Sequence, residues 1–315
     1  MKIFDVNVNE IRNTMKENMD LCKMSKDITK IENIIVHGGM FHADDASCVA
    51  LMKIVNPDIK VIRTIDKEII QKGNASPSTI VCDIGLGEFD HHQTDSPVRE
   101  SGERYAAFGL LWRAVGPMLC GSQKVADKID RNFIATMDAL DNQQFGFKQH
   151  WLYGYIKGMN PNWDSSLTSD DIFPDAVEQC MIIIAQIITN ETAVERAEEL
   201  INKYGAESEG NCLRLPKFIP YRDAIRKFDQ FQYVAFPSDR GGITITYLAK
   251  RGGNLFPKAW RGKQIGSGLP DYVTFCHNAG NLCCVKSWDY VGEAIEAAMK
   301  EVDESDGEEG RKEII

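Results

Sequence analysis

The chain has 315 residues and a formal net charge of −10 at pH 7, with 43% hydrophobic and 26% charged residues. This composition is ordinary for a globular protein and long enough to suggest two domains, and the acidic balance argues against nucleic acid coating the whole surface. No apolar run approaches the roughly 18 residues of a membrane span, and the N-terminal segment has neither a signal-peptide pattern nor an Arg-rich transit pattern. Nine cysteines without regular spacing or a C-x-x-C pair read as reduced, mostly buried thiols of a cytoplasmic protein, not a disulfide framework.

Residues 8–25 space Ile11, Met15 and Met19 as a short amphipathic helix does. The segment 1–30 is therefore read as an N-terminal helical extension that packs and carries no chemistry. The stretch 34–52 is read as strand, polar turn and helix: Ile34-Ile35-Val36 is followed by His37, His42, Asp44 and Asp45, and then by the helical pattern Ala46, Val49, Ala50, Met52. After the Asn56-Pro57-Asp58 stop, residues 60–64 and 79–82 read as two further strands, the last ending in Asp83. This βαβαβ rhythm predicts an α/β fold with a parallel sheet flanked by helices, in which ligands gather where strands end and helices begin.

Helical periodicity returns at 103–115 and 122–141. Residues 160–172 read as a turn-rich boundary, and a helix is predicted over about 171–204, with the apolar 181–189 in its buried part. Short strand signals separated by Gly and Pro follow at 213–216, 233–236, 243–247, 272–275 and 282–285, and a last helix at 288–300 follows Ser287 as N-cap. The expected organisation is a catalytic domain at 31–165, a linking helix at 166–205 and a smaller α+β substrate-binding domain at 206–300. The tail 301–315, with seven acids against two bases after Lys300, reads as disordered.

Four of the six histidines, His37, His42, His91 and His92, fall in two short segments beside Asp44, Asp83 and Asp90. One histidine alone would read as a satisfied turn residue. Four together with carboxylates read as a metal site of the Mn, Zn, Fe or Co type, not a Ca²⁺ or thiolate site.

HGGMFHADD at 37–45, then an isolated Asp83, then Asp90-His91-His92, resembles the DHH phosphoesterase superfamily, which includes RecJ-type exonucleases and family II pyrophosphatases. The match is closer to one branch, the melanocyte-proliferating-gene (MYG-type) family of metal-dependent hydrolases and exonucleases. Its later segments resemble residues 132–142, the run Leu255-Phe256-Pro257-Lys258-Ala259-Trp260-Arg261-Gly262, and Phe275-Cys276-His277-Asn278-Ala279-Gly280. Phe256 interrupts the family's usual Leu-Pro, and Gln143 follows Asn142 where Gly is common.

The resemblance implies two divalent ions, with Mn²⁺ expected and Mg²⁺, Co²⁺, Zn²⁺ or Fe²⁺ as alternatives, about 3.5–4 Å apart. His37, His42 and Asp83 would hold one ion. Asp44, Asp83, His91 and either Asp138 or Asp141 would hold the other, with Asp141 preferred because it ends the helical run. His92 would be a donor to the substrate or its leaving oxygen, Asp90 would orient a ring nitrogen, and Asp45 would cap the helix or join the network. The implied activity is 3′–5′ exonuclease cleavage of RNA or short oligonucleotides by a hydroxide that the two ions activate. A small-substrate phosphoesterase is the alternative, and a non-catalytic nucleic-acid or metal-binding protein the lesser one.

Arg99 and Arg104 are candidates either for substrate contact or for surface salt bridges. Residues 214–263 hold eleven Lys/Arg against three acids, interleaved with aromatics such as Phe218, Tyr221, Phe231, Tyr233 and Trp260. Single-stranded nucleic acid is bound by such mixtures, although each aromatic alone reads as core. Arg240, Arg251, Arg261 and His277 are the candidate phosphate contacts, and Gly241-Gly242 and Gly252-Gly253 would let backbone approach an anion. The expected partner is single-stranded RNA or an oligonucleotide. No membrane is expected, and the oligomeric state is left open, a homodimer included.

Overall fold

The structure, a computed structural model, describes residues 3–144, 146, 150–249 and 251–301, so nearly all of the acidic tail lies outside the described residues. The chain divides into two compact units, residues 1–193 and 194–315.

The first unit is built on a parallel sheet of three strands in the order β2-β1-β3: β1 (Asn33–Val36), β2 (Lys60–Arg63) and β3 (Thr79–Val81). Ile34 faces Val61 on one side and Ile80 on the other, which sets the register. Crossover helices α2 (Ala43–Val55) and α3 (Lys67–Ala75) join the strands, as parallel pairing requires. The core also takes α1 (Ile3–Glu17), α4 (Ala107–Cys120), α5 (Gln123–Ile129), α6 (Ala135–Asp141) and α7 (Trp151–Gly158). Ile34, Val36, Leu51, Leu111 and Trp112 are fully or almost fully buried in it. So are Val8 and Ile11 of α1, which makes the N-terminal extension part of the unit's core.

Two helices differ from their predicted bounds for local reasons. Residues 103–105 are not helical, because Arg99 donates its backbone N–H to Glu103 O at 2.8 Å and Tyr105 donates to Pro97 O at 3.2 Å, so α4 starts only at Ala107. The 122–141 run is interrupted by a π-helical turn (Asp130–Ile134) between α5 and α6, a feature often found at functional sites.

Helix α8 (Ser169–Glu207) contributes to both units. By length and composition it is the one helix among the described residues that would suffice to cross a membrane. Its buried positions, Phe173, Ala176, Val177, Cys180, Ile184 and Ile188, recur along one face in the core of the first unit.

The second unit holds the larger sheet, of six strands in the order β4-β5-β6-β9-β8-β7. Its strands are β4 (Cys212–Arg214), β5 (Tyr233–Pro237), β6 (Ile243–Tyr247), β7 (Lys263–Gln264), β8 (Val273–Cys276) and β9 (Leu282–Val285). All its pairs are antiparallel except β4 with β5. Alternation along β5 sends Tyr233 and Ala235 into a cluster with Val291, Ala294 and Ala298 of α9 (Val291–Lys300). Val234 between them packs with Ala197 and Ile201 of α8, so the strand is buried on both faces. β7 was not foreseen; it has two residues, too few for a periodic signal.

Candidate metal centre

His37 follows β1 directly, and the loop it opens is tied down from three directions. Gly38 donates its N–H to Thr64 O at 3.3 Å. Arg63 donates from Nη2 to Gly39 O at 2.6 Å while its Nη1 lies 2.5 Å from Asp170 Oδ1. Asn160 accepts from Phe41 N at 3.1 Å and donates to Phe41 O at 2.8 Å. His42 then caps α2 and donates its N–H to Asp45 Oδ1 at 2.8 Å. The other Asp45 oxygen is buried without a hydrogen bond, 3.5 Å from His37 Nε2. Asp44 is buried and accepts from the N–H groups of Ala107 and Phe108 at 2.9 and 2.8 Å, capping α4, whose own N-cap, Ala106, has no side-chain acceptor.

Asp83 lies two residues past the end of β3 with φ at +60°, sparsely populated by residues other than Gly. Its N–H donates to Phe89 O at 2.9 Å, closing the loop that leads to the histidine pair. Its two oxygens face two imidazoles: Oδ2 is 3.4 Å from His37 Nε2, and Oδ1 is 3.0 Å from His91 Nε2. His91 Nε2 is also 3.3 Å from Asp141 Oδ2, and its Nδ1 pairs with Asn142 Oδ1 at 3.2 Å. Asn142 is held in turn by donating to Tyr105 O and Asp138 O. His92 Nδ1 pairs with Asp90 Oδ1 at 2.6 Å, and Asp90 Oδ2 accepts from Leu86 N at 2.6 Å.

Three groups of donors result, each with its atoms within 4.8 Å of one another: His37, His42 and Asp83; Asp44, Asp83, His91 and Asp141; and Asp83, His91 and His92. Asp83 is common to all three.

The electrostatics fit a divalent cation. Burial and the charges of Asp141, Asp83 and Asp138 push the Asp44 carboxyl well above its ordinary range. Asp45 is raised to about 7, by burial above all, and Asp141 is raised by burial and then by Asp83. Burial would lower both His37 and His91, but hydrogen bonds and charge from Asp83, with Asp45 and Asp141 respectively, push each up to about 9. Asp83 is held at about 2 despite its burial, because His37 and His91 both bond to it. Without an ion, the carboxylates are thus balanced by protons on the imidazoles. A cation can take over that role, and the unbonded Asp45 oxygen is a further acceptor beside it.

Asp138 is not brought into these groups. Its Oδ2 accepts from Arg99 Nη2 at 2.7 Å, burial lifts it to about 7 against the pull of Arg99, and a Cβ on Gly109 would lie 1.8 Å from it. Arg99 also grips Asp130 through Nε and Nη2, at 2.8 and 2.7 Å, and lies 3.8 Å from the centroid of the Tyr105 ring. It is buried and engaged, which corrects both its substrate-contact and its surface readings. Arg104 is exposed.

In the second unit, Arg240 and His277 are exposed, and Arg251 donates to Phe228 O. Arg261 donates from Nε to Phe256 O at 2.9 Å and packs against Gly280, so the two late motifs meet there. Gly241-Gly242 form the turn between β5 and β6. Tyr221, Phe231, Tyr233, Phe256 and Trp260 are core, as each reads alone in the sequence, whereas Phe218 is exposed.

Three contributors were not singled out from the sequence. Asn142 and Asn160 act through side-chain bonds to residues 51 and 119 positions away, which no local pattern signals. Tyr153 of α7 feels the same carboxylates: burial, then Asp141, Asp44 and Asp83, push its phenol to about 12.

Residues 33–299 match the model of the MYG1 exonuclease family, described as an uncharacterised protein family, UPF0160. A MYG1 protein of Saccharomyces cerevisiae is 24% identical over 346 residues, covering 88% of this chain and 96% of its own. A MYG1 protein of Dictyostelium discoideum is 24% identical, over 73% of this chain and 84% of its own. The human MYG1 exonuclease is 27% identical over 168 residues, 41% of this chain and 42% of its own. Among solved structures, Thermus thermophilus RecJ in complex with Mg²⁺ aligns at 14% identity and a TM-score of 0.19, covering 78% of this chain and 45% of RecJ.

Proposed function

The chain belongs to the MYG1 exonuclease family, and from that premise we propose that it is a divalent-metal-dependent phosphodiester hydrolase, a 3′–5′ exonuclease on RNA or short oligonucleotides with Mn²⁺ as its ion. The coarse reading, an enzyme that hydrolyses phosphoester bonds, follows from the membership. The observation that carries the rest is the convergence of the donor groups on Asp83. His37, His42 and Asp83 would hold one ion, and Asp44, Asp83, His91 and Asp141 the other. Divalent ions bound there supply Lewis acidity at the phosphoryl oxygens and lower the pKa of bound water.

The chain's own groups do the remaining work. Asp90 fixes the His92 ring through Nδ1, which positions it as the donor to the substrate or its leaving oxygen. Asn142 fixes His91. Arg240, Arg261 and His277 are the proposed phosphate contacts of the second unit. The cytoplasm suits the nine free thiols.

The test is cleavage of single-stranded RNA with Mn²⁺, Mg²⁺, Co²⁺ or Zn²⁺, with Asp44→Asn and His91→Ala beside the parent. Both variants should lose metal-stimulated cleavage, and parent-like rates in both would sink the mechanism. A small-substrate phosphoesterase is the second reading, favoured by the net charge of −10 and the burial of the C-terminal aromatics. A dinucleotide cut faster than a labelled oligomer would select it.

Ion uptake should depend on pH. His37 and His91 stand near 9 without an ion, so an ion binding at neutral pH must displace their protons. Mn²⁺ affinity is therefore expected to rise from pH 6 to about 9 and then level off, with proton release visible by calorimetry in buffers of different ionisation heat. The stability of the metal-free fold is expected to follow the opposite trend. Its raised histidines contribute stability in full below about 6.5, and this is lost as pH rises through about 9. A flat affinity profile would remove these imidazoles from the ligand set.

A further inference from the structure

The N-terminal segment ahead of β1 lies outside the family-matched residues 33–299, yet it grips the loop that carries Asp83. Ser25 donates its backbone N–H to Glu88 Oε1 at 3.1 Å and its hydroxyl to the other oxygen of the same carboxylate. Lys26 donates from Nζ to Thr79 O at 2.7 Å, Asn74 O at 3.1 Å and Gly73 O at 3.4 Å, joining the end of α3 to the start of β3. The Asn74 side chain, at the point where Lys26 fixes the backbone, donates to Gly85 O at 2.9 Å. It also lies so close to Gly87 that a Cβ there would meet Asn74 Oδ1 at 2.7 Å. The loop is therefore held by Asn74 and by Ser25.

The loop needs holding. Asp83 and Leu86 both have positive φ, at 60° and 55°, and such residues persist only where their surroundings over-determine them. Its internal bonds run from Asp83 N to Phe89 O and from Leu86 N to the Asp90 carboxylate, so its shape sets both the Asp83 oxygens and the Asp90 support of His92.

We infer that Ser25 and Lys26, with Glu88 and Asn74, form a brace that positions Asp83, and that these are positioning residues for the metal centre. The consequence for the ions rests on the reading of Asp83 as a shared ligand; the mechanical part does not. Anchoring of the segment has a separate source, the burial of Ile28 and Ile31 in the core.

The test uses the full chain with Ser25→Ala and Lys26→Met combined. Lys26→Met keeps an apolar stem and removes the donor. Amide hydrogen exchange of residues 83–90 in metal-free protein is the first readout, and Mn²⁺ affinity by calorimetry is the second. Exchange there is expected to speed up about fivefold or more, the factor for one net hydrogen bond, with Mn²⁺ binding weakened to a similar degree. Ser25→Thr with Lys26→Arg should restore both. Unchanged exchange at 83–90, or a uniform increase across the first unit, would overturn the brace. If the parent chain took up no Mn²⁺, the metal reading would fail, while the exchange data would still decide the brace.

Discussion

Asp83→Asn is expected to lower metal-stimulated kcat/KM on the order of a thousandfold, the rate equivalent of the several kcal/mol a coordinated ion supplies. No other side chain belongs to all three donor groups, and its two oxygens face His37 and His91 separately. An amide offers one acceptor oxygen and turns an NH₂ toward whatever stood at the other, so it cannot serve both sides. The substitution is also a clean one. Asn tolerates positive φ at least as well as Asp, so the +60° backbone is kept. Mn²⁺ stoichiometry should fall while the far-ultraviolet circular dichroism stays that of the parent. Near-parental turnover with unchanged stoichiometry would show that Asp83 is not shared between ions.

Arg99→Met is expected to destabilise the fold by roughly 3–5 kcal/mol, the cost of breaking a buried pair by removing one partner. Arg99 is buried, and it is the group that holds Asp130, at the head of the π turn, together with Asp138 on α6. Removing it leaves a fully buried carboxylate that burial has already lifted to about 7, and Asp138 would take a proton in response. The thermal midpoint should fall by roughly 10 °C, at a few degrees per kcal/mol for a unit of this size. Adding Asp138→Asn should recover part of the loss, because the orphaned charge is then gone. Asp141 ends the same helix and Asn142 is its C-cap, so activity should fall as well. A midpoint within about a degree of the parent would mean that the buried network contributes little, as some ion pairs do.

The resemblance of HGGMFHADD, Asp83 and DHH to one family was readable because donor residues cluster tightly in the chain, and the family match agrees with it. The parallel sheet was readable because its strands are short apolar runs separated by helical patterns. The choice between Asp138 and Asp141 turned on position in a helical run, and the π turn that sets the phase of that helix left no mark in the hydrophobic spacing. The interleaved bases and aromatics at 214–263 suggested a surface, yet most of those rings fill the second unit's core. Composition alone cannot tell a ring that stacks on a base from one that packs under a sheet.

What the sequence by itself determined is local: strand-turn-helix order, the kinds of donor and their family. Periodicity and spacing are properties of neighbours along the chain. Only the tertiary structure decided that Asp44 caps a helix 63 residues away, that Arg99 takes Asp138 out of the donor groups, and that the N-terminal segment holds the Asp83 loop. Those bonds join residues far apart in the chain, and each depends on the burial and direction of its partner, which exist only once the chain has closed on itself.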